Sequence, residues 1–442
     1  MILKVRKSND PILRQPAEEV TDFGHEFQFL VDNMIETMRK NNGVGLAAPQ
    51  VGVSKQFFIV EFEGDKEVDM KPFPLTVVCN PKIVKSSKEE RKMVEGCLSF
   101  PGLEILIKRP EKIIIKGKDR HGKDIEIEAD DLYARVLQHE NDHLSCTLFI
   151  DKIEESKIIF IGTGTLGLKS LEFLAQDLQY KILSVITGES KEIRRHGKVH
   201  HEVNPIKKLA QKYDLPIIET SNIKDVKIIE KIKKLKPDLG IMADFGQIVP
   251  KDVLDIPKHG IINIHPSLLP KYRGASPIQA PILNGDKITG VTLILTAPKM
   301  DAGDIISLVK AEVSQGETST TLKTFLGEVA ASLLLNTIPY YLASDIKPEP
   351  QNESQATFTK IFKAEDGFVD ANTSAEEVER KIRAFDVWPK VYTIVNNKRI
   401  QIISAHFEQD GKFTIDIVKP EGKTEMDYLD WKRGHKAEII FK

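Results

Sequence analysis

The run Ser156–Gly167, SKIIFIGTGTLG, predicts the fold of the larger part of this chain. Its first seven residues form an apolar stretch of strand length, and the glycines that follow are typical of a tight turn. Leu168, Leu171 and Leu174 then recur at helical spacing. A strand, a glycine turn and a helix in this order predict an α/β domain.

The same three glycines allow a second interpretation. Gly162, Gly164 and Gly167 match the phosphate-binding fingerprint of dinucleotide-binding domains, and Glu189 lies where an acid that binds ribose would be expected. Strand-turn-helix units also use glycine merely to pack the helix against the strand. We favour packing, and the alternative is an oxidoreductase that binds a nicotinamide nucleotide.

Three polar residues further along the chain predict a catalytic crevice. Asn263 and His265 lie on the same side of a strand that Pro266 ends, and Asp301 follows the next apolar strand, Val291–Thr296. Open α/β sheets bind ligands at the carboxyl ends of their strands, so we expect the three side chains to converge there. They would supply an oxyanion donor, a proton shuttle and a group that orients it. Alone, each residue could simply cap a strand.

A candidate metal centre precedes the α/β region. Residues 130–144 contain no Gly or Pro and have helical spacing, so His139 and His143 share one helix face. Cys97 lies in a glycine-bounded loop, and three protein ligands leave a position for water. Glu140 is the expected general base. A lone Cys or a pair of helical His is often a core residue, but the combination favours a metal.

These residues resemble a known family. The run GVGLAAPQVG at 43–52, the Cys97 loop and the His139 helix are similar to the three motifs of peptide deformylase, over residues 1 to about 150. The resemblance implies an α+β domain that hydrolyses the formyl group from N-formylmethionyl peptides. It implies Fe(II) as the native metal, with Zn(II), Ni(II) or Co(II) as substitutes. The implied roles are metal ligation by Cys97, His139 and His143, acid–base catalysis by Glu140, oxyanion binding by Gln50 and the Leu98 N–H, and binding of the substrate backbone by Gly45.

Two features depart from the deformylase pattern. Cys146 stands where the family usually has Gly, and we expect the usual C-terminal helix after the histidine motif to be missing. Cys146 could compete for the metal or fill the core. We favour core filling, because the helix and the Cys97 loop already supply the ligands.

The second half resembles another family. The run GIINIHPSLLPKYRG at 260–274, with Asp301, is similar to the formyltransferases that use 10-formyltetrahydrofolate, and the match is closest to methionyl-tRNA formyltransferase. It covers about 156 to the C-terminus and implies a Rossmann-like catalytic domain. The implied roles are oxyanion support and proton transfer by Asn263 and His265, tuning of His265 by Asp301, and a folate site lined by Ser267, Leu268, Leu269 and Pro270.

The acceptor has to be inferred from the rest of the chain, because formyltransferases with small acceptors share the same trio. Short alternating runs predict strands of a small barrel, at Val391–Val395, Ile400–Ile403, Phe413–Val418 and Ala437–Phe441. The run KIRAFDVWP at 381–389 resembles the OB-like C-terminal domain of the transfer-RNA enzyme. A basic loop with Arg194, Arg195 and Lys198 would contact the RNA, although its triplet is His196-Gly197-Lys198 where the family has Arg-Gly-Lys. A solvated surface loop is the alternative.

Bulk properties fit a cytoplasmic enzyme. The net charge is -2 and there are three cysteines, and no apolar run approaches 18 residues, so we expect no membrane span. We expect a bifunctional enzyme whose partners are N-formylmethionyl peptides, initiator methionyl-tRNA and the ribosome. The alternatives are that one half is a degenerate binding module, or that the transferase uses a small-molecule amine. The expected domains are 1–153 (deformylase-like), 156–345 (formyltransferase), 346–357 (linker) and 358–442 (OB-like).

Overall fold

The computed structural model describes residues 1–65, 70–195, 198–202, 204–435 and 438–442; within 191–202 it describes only the backbone. The chain divides into two compact units. The first comprises Met1–Glu155 and Pro339–Asp345, and the second comprises Ser156–Ile338 and Ile346–Lys442.

The first unit combines antiparallel strands with two long helices. Its elements are α1 (His25–Lys40), β1 (Gly45–Ala47), β2 (Phe57–Phe62), β3 (Phe73–Ser86), β4 (Glu90–Cys97), β5 (Phe100–Pro110), β6 (Lys112–Lys118), β7 (Asp124–Asp130) and α2 (Asp131–Leu144). A five-stranded sheet has the order β1-β2-β3-β6-β7, and β4 pairs with β5 as a separate hairpin. All of these pairs are antiparallel.

The two helices pack on opposite faces of this sheet. Successive side chains of a strand point to opposite faces, and β2 shows this alternation. Phe57 and Ile59 belong to the core cluster that contains the buried side chains of α1. Phe58 and Val60 belong to the cluster that contains Leu137 of α2. The predicted helix at 130–144 is therefore confirmed, and it is fixed by its apolar side against the sheet.

The second unit contains a large sheet followed by a smaller one. Its elements are β8 (Ser156–Gly162), α3 (Leu168–Gln176), β9 (Tyr180–Thr187), β10 (Lys191–Arg195), β11 (Lys198–Glu202), α4 (Pro205–Lys212), β12 (Ile217–Glu219), α5 (Val226–Leu235), β13 (Leu239–Ala243), α6 (Lys251–Leu254), β14 (Ile261–His265), β15 (Arg273–Gly274), α7 (Gln279–Asn284), β16 (Ile288–Leu295), β17 (Ile305–Glu312), α8 (Ser319–Ala343, of which 339–343 belong to the first unit), β18 (Phe358–Thr359), α9 (Ala375–Ala384), β19 (Val391–Val395), β20 (Lys398–Phe407), β21 (Phe413–Pro420), β22 (Met426–Asp427) and α10 (Tyr428–His435).

The large sheet begins as the sequence predicts. Its strand order is β12-β9-β8-β13-β14-β16-β17, and the first five strands are parallel. β8 lies between two parallel neighbours, and Ile158–Ile161 are fully buried. A strand covered on both faces has an almost continuous apolar sequence, which is why this run was recognisable.

The sixth strand of this sheet, β16, runs opposite to the first five, and β17, which is antiparallel to β16, runs in the same direction as those five. β14 pairs antiparallel with β16, with His265 opposite Thr292. The end of β16 therefore lies beside the start of β14, where the Thr296 N–H donates to the Ile261 carbonyl over 2.8 Å. We expected Asp301 to lie at the same sheet edge as His265 because both residues follow strands. That reasoning was wrong, because β16 runs antiparallel to β14 and ends at the other edge.

The C-terminal part contains a four-stranded antiparallel sheet. Its order is β19-β20-β21-β22, and α9 and α10 contact it. The first three strands lie where alternation predicted them. The strand predicted at 437–441 is wrong, because residues 438–441 adopt no strand; Ala437 lies outside the described residues. The short strand β22 takes the fourth place.

The predicted linker, 346–357, is hydrogen-bonded to the formyltransferase-like part of the second unit. Glu349 forms an antiparallel bridge with Ile305, and the Thr357 carbonyl accepts from the Arg273 N–H over 2.9 Å. Polar composition predicted a free tether here, but these hydrogen bonds hold the segment in place. Separately, among the described residues no helix has the length and apolar character needed to cross a membrane.

Candidate active sites

The structure brings the three candidate metal ligands together. Cys97 ends β4, while His139 and His143 lie one turn apart on α2. Their ligand atoms all lie within 4.8 Å of one another. The Cys97 Sγ is 3.4 Å from the His143 Nε2, and both histidines are buried. One thiol and two imidazoles at this separation can close around a single ion.

A buried carboxylate orients the first histidine. The His139 Nδ1 lies 2.9 Å from a Glu95 oxygen, so this nitrogen donates to the carboxylate and Nε2 is the ring atom left to face a metal. Glu95 also accepts from Arg109 over 2.6 and 2.8 Å and from Arg135 over 2.9 Å. Burial opposes the charge of Glu95, but hydrogen bonds from Arg109 and His139 lower its pKa well below the ordinary value. Glu95 is therefore a permanent anion behind the ligand.

The surroundings set the charges of the three α2 residues. Burial lowers the pKa of His143 well below its ordinary value, so its imidazole is neutral and can donate a lone pair. Burial also opposes protonation of His139, but hydrogen bonds to Cys97 and Glu95 raise its pKa to about 10. Burial raises the pKa of Glu140 to about 7, which is the range in which a carboxyl group both accepts and returns a proton near neutral pH. Glu140 Oε2 is buried without a hydrogen-bond partner among the described residues.

The β1 turn brings further candidate residues to the same centre. Gln50 accepts from the Ala47 N–H over 2.8 Å, which turns its NH₂ group toward the Cys97 Sγ at 3.4 Å. Gly45 lies against Glu140: a Cβ added at Gly45 would be 2.4 Å from the Glu140 Oε1. Leu98 follows Cys97 directly, and its carbonyl accepts from Lys7 over 3.0 Å. Gln50, Gly45 and Leu98 thus surround the Cys-His-His cluster.

Cys146 is not part of this cluster. The described residues contain one group with metal-ligand geometry, and it consists of Cys97, His139 and His143. Cys146 is half-buried, so it does not fill the core as expected either. Its φ of 54° lies in the left-handed region, which explains why glycine is favoured at this position.

The donor set fits a metal such as Fe(II) or Zn(II). A soft thiolate with two imidazoles suits these ions, which would take the place of the second proton that the raised pKa of His139 indicates, and three protein ligands are the usual number in a catalytic site. The buried, unpartnered Glu140 oxygen indicates that a further polar group completes the centre. When bound, such a metal would polarise a carbonyl and lower the pKa of water.

The second unit places His265 between two loops. Its Nε2 lies 3.0 Å from the Tyr272 carbonyl, and its Nδ1 lies 3.6 Å from the Asp301 carboxylate. Because β16 is antiparallel to β14, the loop after β16 must return along β14 to reach His265. Burial lowers the pKa of His265, and the Asp301 charge partly opposes this shift. A neutral histidine held by a carboxylate is suited to accept a proton.

The other expected residues of this site differ in accessibility. Asn263 is half-buried, and its side-chain amide makes no hydrogen bond to a described residue, so this amide is available to a ligand. Ser267 and Leu269 are buried, and Ser267 donates to the Lys271 carbonyl over 2.7 Å. Leu268 and Pro270 keep some exposed surface. A folate lined by this stretch would therefore touch Leu268, Pro270 and the backbone.

Known protein families match the chain in separate parts, with a boundary near residue 156. The Polypeptide deformylase family matches residues 2–158, the Formyl transferase family matches 156–338, and the family described as Formyl transferase, C-terminal domain, matches 361–412. The methionyl-tRNA formyltransferase of Roseiflexus castenholzii is 34% identical over 301 residues, which are 63% of this chain and 96% of that protein. The one from Methylacidiphilum infernorum is 41% identical over 310 residues, 64% of this chain and 96% of that protein. The chain belongs to the methionyl-tRNA formyltransferase family and carries a peptide deformylase domain before it.

A solved structure also resembles the deformylase domain. The peptide deformylase of Thermotoga maritima is 40% identical, and the match covers 35% of this chain and 99% of that one, with a TM-score of 0.32. The family matches alone show that the chain is an enzyme fusion, with deformylase and methionyl-tRNA formyltransferase domains in that order.

The glycine turn of the formyltransferase is used for packing. A Cβ at Gly164 would lie 1.8 Å from the Asp244 carboxylate, and one at Gly167 would lie 2.8 Å from Ala243. Close approach to neighbouring residues explains both glycines. A carboxylate beside the turn also opposes a pyrophosphate, so nothing in this geometry favours a nicotinamide nucleotide.

The basic loop of the formyltransferase is a β-hairpin in its described part. Arg194 and Arg195 lie on β10 and Lys198 lies on β11, and the two strands pair antiparallel. His196 and Gly197 lie outside the described residues, as do the side chains of the three basic residues.

Sequence reasoning missed two supporting residues. Glu95 precedes Cys97 by two positions, and an acidic residue on a strand beside a candidate ligand was the available signal. Gln351 had no comparable signal, because it lies in the predicted linker and its role depends on contacts with distant loops.

Proposed function

We propose that this chain is bifunctional: it removes the formyl group from N-formylmethionyl peptides and transfers formyl from 10-formyltetrahydrofolate to the amino group of initiator methionyl-tRNA. The observation that carries the proposal is that each unit has its own complete set of reactive side chains. Cys97, His139 and His143 lie within 4.8 Å in the first, and His265 lies 3.6 Å from Asp301 in the second.

In the deformylase, Glu140 would move the proton. It takes a proton from the attacking water and returns it to the leaving amine, which its raised pKa permits. Gln50 and the Leu98 N–H would stabilise the oxyanion, and Gly45 would bind the substrate backbone. Cys97, His139 and His143 would hold Fe(II), for which Zn(II), Ni(II) or Co(II) can substitute.

In the formyltransferase, the amine of methionyl-tRNA would attack the formyl carbon. Asn263 would donate to the developing oxyanion, and His265 would accept the amine proton on Nδ1, because its Nε2 already donates to the Tyr272 carbonyl. Asp301 would stabilise the imidazolium until the bond from the formyl carbon to N10 of the folate breaks and the proton passes to that nitrogen, which releases tetrahydrofolate. Ser267–Pro270 would line the folate site. Arg194, Arg195 and Lys198 would neutralise phosphates of the acceptor stem.

We further propose the domain limits 1–153, 156–345 and 358–442, with 346–357 between the last two. The parallel part of the large sheet supports a Rossmann-like catalytic domain. The antiparallel sheet β19–β22 supports a small OB-like domain. An enzyme of translation initiation would act in the cytoplasm, near the ribosome.

Two single substitutions test the assignment. His139→Ala should abolish hydrolysis of a formylmethionyl peptide and spare formyl transfer, whereas His265→Ala should do the reverse. His121→Ala and His406→Ala are matched controls, because both side chains are exposed. Loss of both activities in either site variant, or of neither, would contradict two independent sites.

A further inference from the structure

The segment between the two formyltransferase domains makes an unusual set of contacts with the loops around His265. We define the strap as residues 349–360. It forms a bridge from Glu349 to Ile305, and its strand β18 runs parallel to β15, with Phe358 opposite Arg273. The strap therefore touches the loop that contains Asp301 and the loop that contains Tyr272.

Gln351 of the strap joins these two loops. Its Nε2 donates to the Asp301 carbonyl over 2.8 Å and to the Gly303 carbonyl over 2.7 Å. Its Oε1 accepts from the Arg273 guanidinium over 3.0 and 2.7 Å. Both donors and both lone pairs of the amide are used, which fixes its orientation.

Each loop that Gln351 holds contacts one ring nitrogen of His265. The Asp301 carboxylate faces Nδ1, and the Tyr272 carbonyl, next to Arg273, faces Nε2. Asp301 also accepts from the Gly274 N–H over 2.8 Å, which ties the two loops together a second time. Gln351 therefore sets the distance between these two loops, and the position of His265 depends on that distance.

The Asp301 loop needs external support. Asp301 has a φ of 49°, in the left-handed region that non-glycine residues rarely adopt. A residue in that conformation persists where its surroundings over-determine it. Gln351 supplies two hydrogen bonds to the backbone of this loop, and both come from outside it.

From these contacts we infer that Gln351 is a positioning residue for formyl transfer, which holds Asp301 and Tyr272 at the two sides of His265. The inference rests on the proposed function of His265 and Asp301. It means that the strap helps to position the residues around His265. A displacement of a reacting group by about 1 Å can lower turnover about 100-fold.

Gln351→Glu separates the two roles of this side chain, which are donation to the Asp301 loop and acceptance from Arg273. The carboxylate keeps the acceptors for Arg273 but places oxygen against the Asp301 and Gly303 carbonyls, where Gln351 donates. We expect kcat for transfer to methionyl-tRNA to fall about 100-fold, with KM values for both substrates within about threefold. If Gln351 served only to accept hydrogen bonds from Arg273, Gln351→Glu would transfer formyl at the wild-type rate, and that result would overturn the inference.

A matched control lies on the same strap. Glu353 also bonds Arg273, over 2.7 Å, and pairs with Lys299, but it does not touch the Asp301 or Gly303 carbonyls. Glu353→Gln should keep kcat within about threefold of wild type. Deformylation by the same preparations checks that the chain is intact, because it depends on the other unit.

A second readout does not require catalysis. Hydrogen exchange of peptides spanning 299–304 should accelerate in Gln351→Glu and stay unchanged in Glu353→Gln, with β13 as the internal reference. Unchanged exchange in Gln351→Glu would overturn the inference even if the wild-type chain transferred no formyl group. Absence of transfer by the wild type, with faster exchange in the variant, would instead contradict the proposed function alone.

Discussion

Gly45→Ala should impair the deformylase by displacing Glu140. The added Cβ would lie 2.4 Å from the Glu140 Oε1, 2.8 Å from its Cδ and 2.9 Å from its Cγ. Both residues are buried, and the atoms that the methyl group would meet all belong to Glu140, so the Glu140 side chain has to move. Restoring an ordinary contact near 3.4 Å requires a movement of about 1 Å. A displacement of that size costs about 100-fold in rate, or about 2.7 kcal/mol of transition-state stabilisation.

The assay is hydrolysis of a formylmethionyl peptide by protein loaded with one equivalent of metal. We expect kcat to fall about 100-fold, while the metal content stays the same because the new methyl group meets Glu140 rather than a ligand. Gly96→Ala is the matched control: it adjoins Cys97, but its nearest neighbour would be the Leu103 carbonyl at 3.9 Å. Wild-type kcat in Gly45→Ala would refute the placement of Glu140 against Gly45. Loss of metal in Gly45→Ala would refute the claim that the ligands are unaffected.

Two further predictions concern the deformylase half. Glu95→Gln should lower metal affinity roughly 10- to 100-fold and destabilise the first unit by about 3 kcal/mol, because it leaves two buried arginines without their shared carboxylate. Metal titration measures the affinity and calorimetry measures the stability. The exposed Glu90→Gln is the control, and it should change stability by less than about 0.5 kcal/mol. The intact chain should hydrolyse formylmethionyl-tRNA much more slowly than a formylmethionyl peptide, because we expect the deformylase to need the peptide amide beyond the methionine; equal rates in a formate-release assay would sink that requirement.

The sequence was most informative where local pattern and burial coincide. β8 is apolar because both of its faces are covered, and α2 combines an apolar side with two histidines one turn apart. The residues of such a motif are close together in sequence, so a single sequence is enough to recognise it. The Cys97, His139 and His143 cluster was accessible for the same reason, since a helix fixes the spacing of two of its members.

What the sequence did not predict depends on long-range geometry. The antiparallel direction of β16 cannot be read from its apolar residues, and the return of the Asp301 loop to His265 depends on that direction. The polar composition of 346–357 is equally compatible with a free tether and with a segment bonded to Arg273 through Gln351. Residues 438–441 alternate as a strand would, yet they pair with no strand among the described residues. For β16 and for residues 346–357, the partner is distant in sequence.

The central claim is that one chain carries two independent formyl-handling sites. It is tested most directly by stripping the intact protein with a chelator, measuring formyl transfer from 10-formyltetrahydrofolate, and then reloading the same preparation with Fe(II) or Zn(II) for a deformylation assay. We expect the stripped protein to formylate initiator methionyl-tRNA but not glycinamide ribonucleotide, and deformylation to appear only after reloading. Absence of transfer to the RNA, transfer to the small acceptor instead, or deformylation that ignores the metal would contradict the account.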